Sequence, residues 1–196
     1  MDVLDFGAGY GGMHDELAKQ GSVSAFEPDA GAQAIVKRRG YQTVYDSADA
    51  AFGKRYDLIG LFDVVEHIED DRAFLTRAKD ALEKRGMLII TVPAMPFLWS
   101  THDVLNHHFR RYTRATLQSV LEDTGYTIEY LSFWNTLLFV PAATMRLLGK
   151  TGESSVGLPR ALDNILYSLI RVETRVMRLF PLPLGISLIA LARKRD

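Results

Sequence analysis

Glycines and acidic residues near the N-terminus have the spacing of a small-ligand site. An apolar segment over Val3–Phe6 contains Asp5 near its end, and four glycines follow it at positions 7, 9, 11 and 12. A second apolar segment ends at Glu27. Glycines at a strand-to-helix turn let a ligand approach the backbone, and the start of the following helix offers free N–H groups. A carboxylate after the next strand suits a ribose, because it can accept hydrogen bonds from both ribose hydroxyls.

The residues alone leave the ligand open between two classes. Gly7, Gly9 and Gly12 satisfy the G-x-G-x-x-G pattern, and Glu27 follows about 20 residues later, as in dinucleotide-binding proteins. S-adenosylmethionine instead presents a carboxylate, an ammonium group and a sulfonium cation, and Asp5 suits a cationic ligand better than a pyrophosphate. A glycine turn that binds no ligand is the third interpretation.

A second group of residues that could act in catalysis lies between Pro93 and Tyr112. Histidine titrates near neutral pH and can remove the proton of an attacking hydroxyl, so we name catalytic candidates here. Histidines in loops also cap and pack, and these have no recognisable metal-ligand spacing, so we expect no metal. The candidates are His102, Asp103, His107 and His108.

Alternating strands and helices must position these residues. We predict helices over 12–20, 29–39, 70–84, 113–124 and 160–180, and strands over 2–6, 22–26, 42–45, 56–62, 87–92, 126–133 and 186–192. Alternation with short connections indicates βαβ units and a parallel sheet. Such sheets bind ligands beyond the carboxyl ends of their strands, where the glycines, Glu27 and the histidine-containing segment all fall.

Composition restricts the classes of function. The 196 residues fit one domain, and 47% hydrophobic residues suffice for a core. The chain contains no cysteine, which excludes thiolate catalysis and cysteine-bound metal centres. A net charge of −1 argues against nucleic-acid binding. We see neither a signal peptide nor a membrane-spanning run and expect a cytoplasmic protein.

Longer motifs extend the interpretation over nearly the whole chain. The segment Tyr56–Ile68 is similar to the fourth-strand motif of small-molecule methyltransferases, Met87–Pro93 resembles their fifth strand, and Leu182–Lys194 resembles their last. The chain therefore resembles class I S-adenosylmethionine-dependent methyltransferases. This resemblance implies an α/β, Rossmann-like, doubly wound sheet of seven strands in the order 3-2-1-4-5-7-6, with the last strand antiparallel.

The resemblance also assigns cofactor contacts. It places the loop from Asp5 to Gly11 around the methionyl portion, Glu27 and Pro28 at the ribose, and Asp46 with Ser47 near the adenine. Phe62 and Asp63 lie beside the methionine end. The full set of implied cofactor-binding residues is Asp5, Gly7, Ala8, Gly9, Gly11, Glu27, Pro28, Asp46, Ser47, Phe62 and Asp63.

A narrower resemblance concerns the segments 93–103 and 107–113. They look like a bacterial subgroup of type 11/12-like methyltransferases found beside genes for cell-envelope glycans and lipid carriers. It implies that residues 94–112 form an acceptor-side loop and that methyl transfer goes to an oxygen of a small, glycan-like or lipid-linked acceptor. The implied acceptor-binding residues are Trp99, Arg110, Arg111 and Tyr112, since paired arginines suit phosphate or carboxylate.

The C-terminal half has a different charge and pattern. Residues 110–196 carry 12 Lys+Arg against 7 Asp+Glu, and residues 134–184 read as a helical insertion within a single domain of 1–196. Its basic and apolar side chains suit contact with the inner face of a membrane or an anionic acceptor. The alternatives are packing onto the sheet and a homodimer interface.

The predicted cofactor strand begins at residue 2. The superfamily normally carries an upstream segment that covers the cofactor, so we expect this chain to lack it. That expectation keeps a non-catalytic cofactor-binding domain as an alternative to an active enzyme. A nucleotide-dependent oxidoreductase is the other alternative.

Overall fold

One sheet of seven strands forms the centre of the molecule in a computed structural model. The structure describes residues 1–137, 139, 143–144 and 160–195. Strands predicted from apolar runs over 2–6, 22–26 and 56–62 have the same bounds in the structure. The strands are β1 (Asp2–Phe6), β2 (Ser22–Phe26), β3 (Val44–Tyr45), β4 (Tyr56–Phe62), β5 (Leu82–Pro93), β6 (Tyr126–Trp134) and β7 (Ser187–Lys194).

The strand order confirms the fold implied by the sequence. It runs β3-β2-β1-β4-β5-β7-β6, and β1 pairs in parallel with both β2 and β4. Strand β7 is inserted antiparallel between β5 and β6, with Ile89 opposite Leu191 on one side. The order reverses beside β1, so the carboxyl ends of β1, β2 and β4 lie at the switch point where such sheets bind ligands.

Helices connect the strands, and polar caps set where several of them begin. Asp29, Ser47, Asp70 and Thr113 each accept a hydrogen bond from a backbone N–H in the first turn of the helix that follows. The helices are α1 (His14–Leu17), α2 (Ala30–Val36), α3 (Ala48–Phe52), α4 (Asp71–Asp80), α5 (Thr101–Leu105), α6 (Arg114–Asp123) and α7 (Arg160–Met177), with 3₁₀ turns over Val65–His67 and Pro96–Leu98.

The helix predicted over 70–84 ends earlier than expected. It stops at Asp80 because Leu82 already pairs with Tyr56 as the first residue of β5. A register irregularity follows, and Met87 pairs with Leu58. Arg85 has a φ of +63° within this irregular stretch. Residues 82–84 of the predicted helix therefore belong to a strand.

The predicted insertion over 134–184 is only partly described. Strand β6 extends through Trp134, and α7 occupies Arg160–Met177. Residues 138, 140–142 and 145–159 of this insertion lie outside the described residues. None of the helices in the described ranges is long and apolar enough to cross a membrane.

Two apolar clusters cover the two faces of the sheet. Alternate residues of a strand face opposite sides, and accordingly Leu4 belongs to one cluster and Val3 to the other. The larger cluster includes Phe6, whose ring stacks on Phe52 with centroids 4.6 Å apart. This packing holds the end of β1 firmly, and the glycine loop begins at the next residue.

Candidate functional site

The glycine loop crosses from the end of β1 to the end of β2. The backbone N–H groups of Gly7 and Ala8 donate to the Phe26 carbonyl oxygen at 2.9 and 3.0 Å. Gly7 and Gly9 have φ values of +77° and +54°, a region that side-chain-bearing residues rarely adopt. A Cβ on Gly7 would lie 2.7 Å from Cγ2 of Val64. The close contact with Val64 therefore requires glycine at position 7.

Glu27 holds this loop in place. Its side chain is buried, with Oε2 accepting a hydrogen bond from Gly9 N at 2.6 Å and Oε1 accepting one from Asp29 N at 2.9 Å. Each carboxylate oxygen can accept a second bond. Glu27 therefore organises the loop and keeps acceptor capacity for the hydroxyls of a ribose.

Asp5 lies under the loop and has a partner that sequence analysis missed. The Tyr41 hydroxyl donates to Asp5 Oδ2 at 2.6 Å, and both side chains are buried. Burial raises the pKa of Asp5, while the hydrogen bond from Tyr41 and the nearby His14 act in the opposite direction. A buried carboxyl group of this kind gains from a cationic ligand group, because an opposite charge offsets its desolvation.

The loop leaves room for the expected cofactor. A Cβ placed on Gly9 or on Gly12 would meet no atom within 4 Å. The open side of the loop thus exposes backbone to a ligand, with Glu27 at one end and Asp5 beneath. These residues fit the ribose and the cationic methionyl portion of S-adenosylmethionine.

Other predicted cofactor residues lie at neighbouring strand ends. Asp46 and Ser47 are exposed after β3, where Ser47 Oγ caps α3. Phe62 is half-buried and packs against the cluster that contains Val3. Asp63 has a φ of +53°, and the Thr91 hydroxyl donates to its Oδ1 at 3.2 Å. Their contacts with adenine and methionine remain predictions.

A cleft of about 290 Å³ opens beyond the carboxyl ends of β4 and β5. Its walls come from the turn after β4, the segment after β5 and the start of β7. Six of the ten lining residues carry titratable side chains. The lining residues are Asp63, Glu66, His67, Pro93, His102, Asn106, His108, Arg111, Ile186 and Ser187.

Glu66 is the most unusual residue of this cleft. Its side chain is 1% exposed, and its Oε2 has no hydrogen-bond partner among the described residues. Burial raises the pKa of Glu66 to about 8, and the nearby Asp63 and Asp103 carboxylates add to the shift. Sequence analysis left Glu66 unassigned, although an acidic residue beside a histidine after β4 was a signal for it.

The four candidate catalytic residues do not lie together as one group. His108 lines the cleft, and its Nδ1 lies 3.0 Å from Asp103 Oδ1. His67, which was not among the candidates, contacts His108 edge to face with ring centroids 4.7 Å apart. His102 is exposed at the rim, its ring centroid 6.5 Å from that of His108. His107 is exposed and does not line the cleft.

Two of the predicted acceptor-binding residues on the acceptor-side loop make buried contacts. Arg111 donates from Nε to Asp103 Oδ1 at 2.8 Å and from Nη1 to the Ala94 carbonyl oxygen at 2.9 Å. The Arg111 and Asp103 side chains are 1% and 0% exposed. The Tyr112 hydroxyl donates to Asp71 Oδ2 at 2.8 Å and is also buried. These groups hold the loop, which sequence spacing could not reveal.

The other two predicted acceptor residues are more accessible. Arg110 forms an ion pair with Asp71 at 2.9 Å, with about a third of its side chain exposed. Trp99 is exposed on the acceptor-side loop. The same segment contains further exposed apolar side chains, which are Phe97, Val104, Leu105 and Phe109.

Solved structures that share this fold include methyltransferases. A putative methyltransferase from Bacillus halodurans is 19% identical, with a TM-score of 0.64 over 100% of this chain and 93% of that one. A SAM-dependent methyltransferase from Archaeoglobus fulgidus is 17% identical, with a TM-score of 0.60 over 98% of this chain and 86% of that one. At these identities the likeness establishes the shared fold.

Sequence comparison establishes the family. The ubiquinone biosynthesis O-methyltransferase of Azorhizobium caulinodans is 31% identical over 100 residues, which are 45% of this chain and 39% of the relative. The family model described as a methyltransferase domain matches residues 1–131, well over half of the chain. These matches confirm the expected methyltransferase class and, with it, S-adenosylmethionine as the cofactor. The chain belongs to the methyltransferase domain family.

Proposed function

We propose that this chain transfers a methyl group from S-adenosylmethionine to an oxygen atom of an acceptor bound in the cleft. The observation that supports this is the adjacency of the glycine loop and the cleft. Strand β1 pairs with β4, Gly7 packs against Val64, and Glu66 lies two residues further on at the cleft. A ligand on the loop and an acceptor in the cleft would therefore be neighbours.

The loop residues provide the cofactor's binding groups. The Glu27 carboxylate would accept hydrogen bonds from the ribose, and Asp5 would face the methionyl ammonium. When bound, S-adenosylmethionine supplies a methyl group activated by the sulfonium charge. Acceleration of such a transfer comes largely from orientation of the two reactants and exclusion of water.

His108 is the candidate best placed to accept the proton of an acceptor hydroxyl. Asp103 binds Nδ1 of His108. Because His108 lines the cleft, its Nε2 is the ring nitrogen that would accept the proton. A histidine oriented by a carboxylate is a common general-base arrangement. Asp103 itself is fully buried and acts as the positioning residue.

An oxygen acceptor is further supported by the curated relative, whose name describes an O-methyltransferase. The exposed apolar side chains of the acceptor-side loop support a lipid-linked acceptor over a purely polar glycan. Trp99, Phe97 and Phe109 would contact the lipid portion at a membrane surface. Co-sedimentation with liposomes of anionic lipid, compared with a Phe97→Ser/Phe109→Ser variant, tests this proposal, and equal absence of binding in both proteins would contradict it.

Calorimetric titration with S-adenosylhomocysteine tests the cofactor site. Glu27→Ala removes charged hydrogen bonds that are typically worth about 1.5–3 kcal/mol, so we expect binding to weaken by about 10- to 150-fold. Glu16→Ala is the matched control, because Glu16 is exposed on α1 and pairs with Lys19. NAD is the ligand control for an oxidoreductase. Equal affinity in wild type and Glu27→Ala would refute the assigned site.

Transfer itself is tested with isotopically labelled cofactor and hydroxyl acceptors of three kinds, namely a catechol, a hexose and a polyprenyl-linked sugar. We expect labelled O-methyl product, and we expect His108→Asn to lower the rate far more than His107→Asn. Asparagine suits position 107, because His107 has a φ of +55° and asparagine tolerates this region. Cofactor binding without product from any acceptor would favour the non-catalytic alternative.

A further inference from the structure

We propose that Glu66, His67 and His108 form a binding site for a divalent cation of the zinc class at the base of the cleft. One ligand atom from each side chain lies within 4.8 Å of the other two. The set therefore combines one carboxylate oxygen with two imidazole nitrogens. The binding proposal stands independently of methyl transfer and assigns a ligand that the proposed function does not require.

The unpartnered Glu66 oxygen is the first observation that points to a ligand. Oε2 is buried without a hydrogen-bond partner among the described residues, in a side chain that is 1% exposed and lines the cleft. Burying a polar atom without a partner is costly, and a buried carboxyl group either stays neutral or is paired with a charge or bound to a metal. A cation in the cleft supplies the missing partner.

The support behind His108 is the second observation. Its Nδ1 is bound to Asp103, which in turn accepts from Arg111 Nε and from the Ser100 backbone N–H. Metal-bound histidines characteristically have a carboxylate or carbonyl on the other ring nitrogen, because this fixes the ring and its tautomer. The arrangement leaves Nε2 of His108 for a cation.

His67 packs against the segment that carries His108. The two imidazole rings meet edge to face with centroids 4.7 Å apart. The segment is itself tied to the turn after β4, because Phe109 N donates to the Glu66 carbonyl oxygen at 2.7 Å.

The distances between the three ligand atoms suit a small cation after the side chains move slightly closer together. Bonds of about 2.0–2.2 Å in a tetrahedral site separate the ligand atoms by roughly 3.3–3.6 Å. The present limit of 4.8 Å therefore requires side-chain movements of about 1 Å. Two imidazoles with one carboxylate favour zinc, cobalt or manganese over magnesium, which prefers oxygen ligands. Three protein ligands leave a position open for water or an acceptor oxygen.

One consequence rests on the proposed function. A cation at this position would lower the pKa of an acceptor hydroxyl bound to it, so that the attacking oxygen loses its proton near neutral pH. In the cation-bound protein His108 is then a ligand, and coordination replaces its role as base.

The test titrates the full-length chain, after removal of bound metal with a chelator, with Zn²⁺ by calorimetry and with Co²⁺ by visible absorption. We expect one cation per chain and the intense visible bands of low-coordinate Co²⁺. Glu66→Gln and His67→Asn should each weaken Zn²⁺ binding by more than about tenfold. Glu69→Gln is the matched control, since Glu69 is exposed one turn away and outside the cluster.

Circular dichroism and S-adenosylhomocysteine titration of the same samples separate the outcomes. A folded Glu66→Gln variant that binds S-adenosylhomocysteine but has lost Zn²⁺ supports the cation site. Unchanged Zn²⁺ affinity in both variants, or no binding by the folded wild type, overturns it. Binding of Mg²⁺ without Zn²⁺ also overturns the proposed class. If S-adenosylhomocysteine fails to bind while Zn²⁺ binds, the proposed function fails and the cation site stands.

Discussion

Replacing Asp103 by asparagine tests whether this residue holds Arg111 in the interior through a buried ion pair. Asp103 Oδ1 accepts from Arg111 Nε at 2.8 Å, and its Oδ2 accepts from the Ser100 backbone N–H at 2.9 Å. Asparagine has nearly the same shape and keeps one acceptor oxygen. The substitution therefore removes the negative charge and leaves the Arg111 guanidinium buried without its partner charge.

The size of the effect follows from burial. The two side chains are 0% and 1% exposed, and breaking a buried ion pair by removing one charge costs about 3–5 kcal/mol. For a chain of this length, each kcal/mol corresponds to about 2–4 °C in melting temperature. We expect Asp103→Asn to lower the melting temperature by roughly 6–20 °C. Urea denaturation at neutral pH should show the same loss in free energy of unfolding.

Asp123→Asn provides the matched control. Asp123 pairs with Arg72 at 2.6 Å, but about half of each side chain is exposed. Water and salt screen such a pair, so its loss should change the melting temperature little. If Asp103→Asn melted within about 2 °C of this control, the buried pair of Asp103 with Arg111 would not contribute to stability as argued.

Three further predictions concern the cofactor site. Gly7→Ala should lower the urea midpoint more than Gly9→Ala, because both positions have positive φ but only Gly7 also meets Val64 Cγ2 at 2.7 Å. Gly9→Ala should instead weaken S-adenosylhomocysteine binding in calorimetry, since its methyl group points into open space; equal effects of both variants on both measurements would contradict this distinction. The third concerns pH. Burial raises the pKa of Asp5 above 3.8, so its stabilising contribution is complete below that value and is lost as pH rises through the folded-state pKa. Relative to Asp5→Asn, which can still accept from Tyr41, the wild type should lose free energy of unfolding over that interval, and a pH-independent difference would refute the assignment.

Local sequence determined the strands and the glycine turn well. Apolar runs bounded by turns and acids predicted β1, β2 and β4 to the residue, because the side chains of such strands are buried on both faces of the sheet. The spacing of the glycines and Glu27 indicated the loop, because close approach of a backbone restricts residue type wherever it occurs. The helix predicted over 113–124 begins where the Thr113 hydroxyl caps it, which is a similarly local effect.

Only the tertiary structure decided where β5 begins and which polar side chains face the cleft. Leu82 joins β5 through pairing with Tyr56, a partner that helical periodicity cannot reveal. Arg111 was expected to contact the acceptor; it lines the cleft and also pairs with the buried Asp103, while Glu66 lies buried at the same cleft. Residue type and spacing show which chemical groups a segment of the chain contains. Burial and pairing depend on which distant segments meet in the fold. Burial and pairing in turn set the charge of each polar group and whether it can contact a ligand.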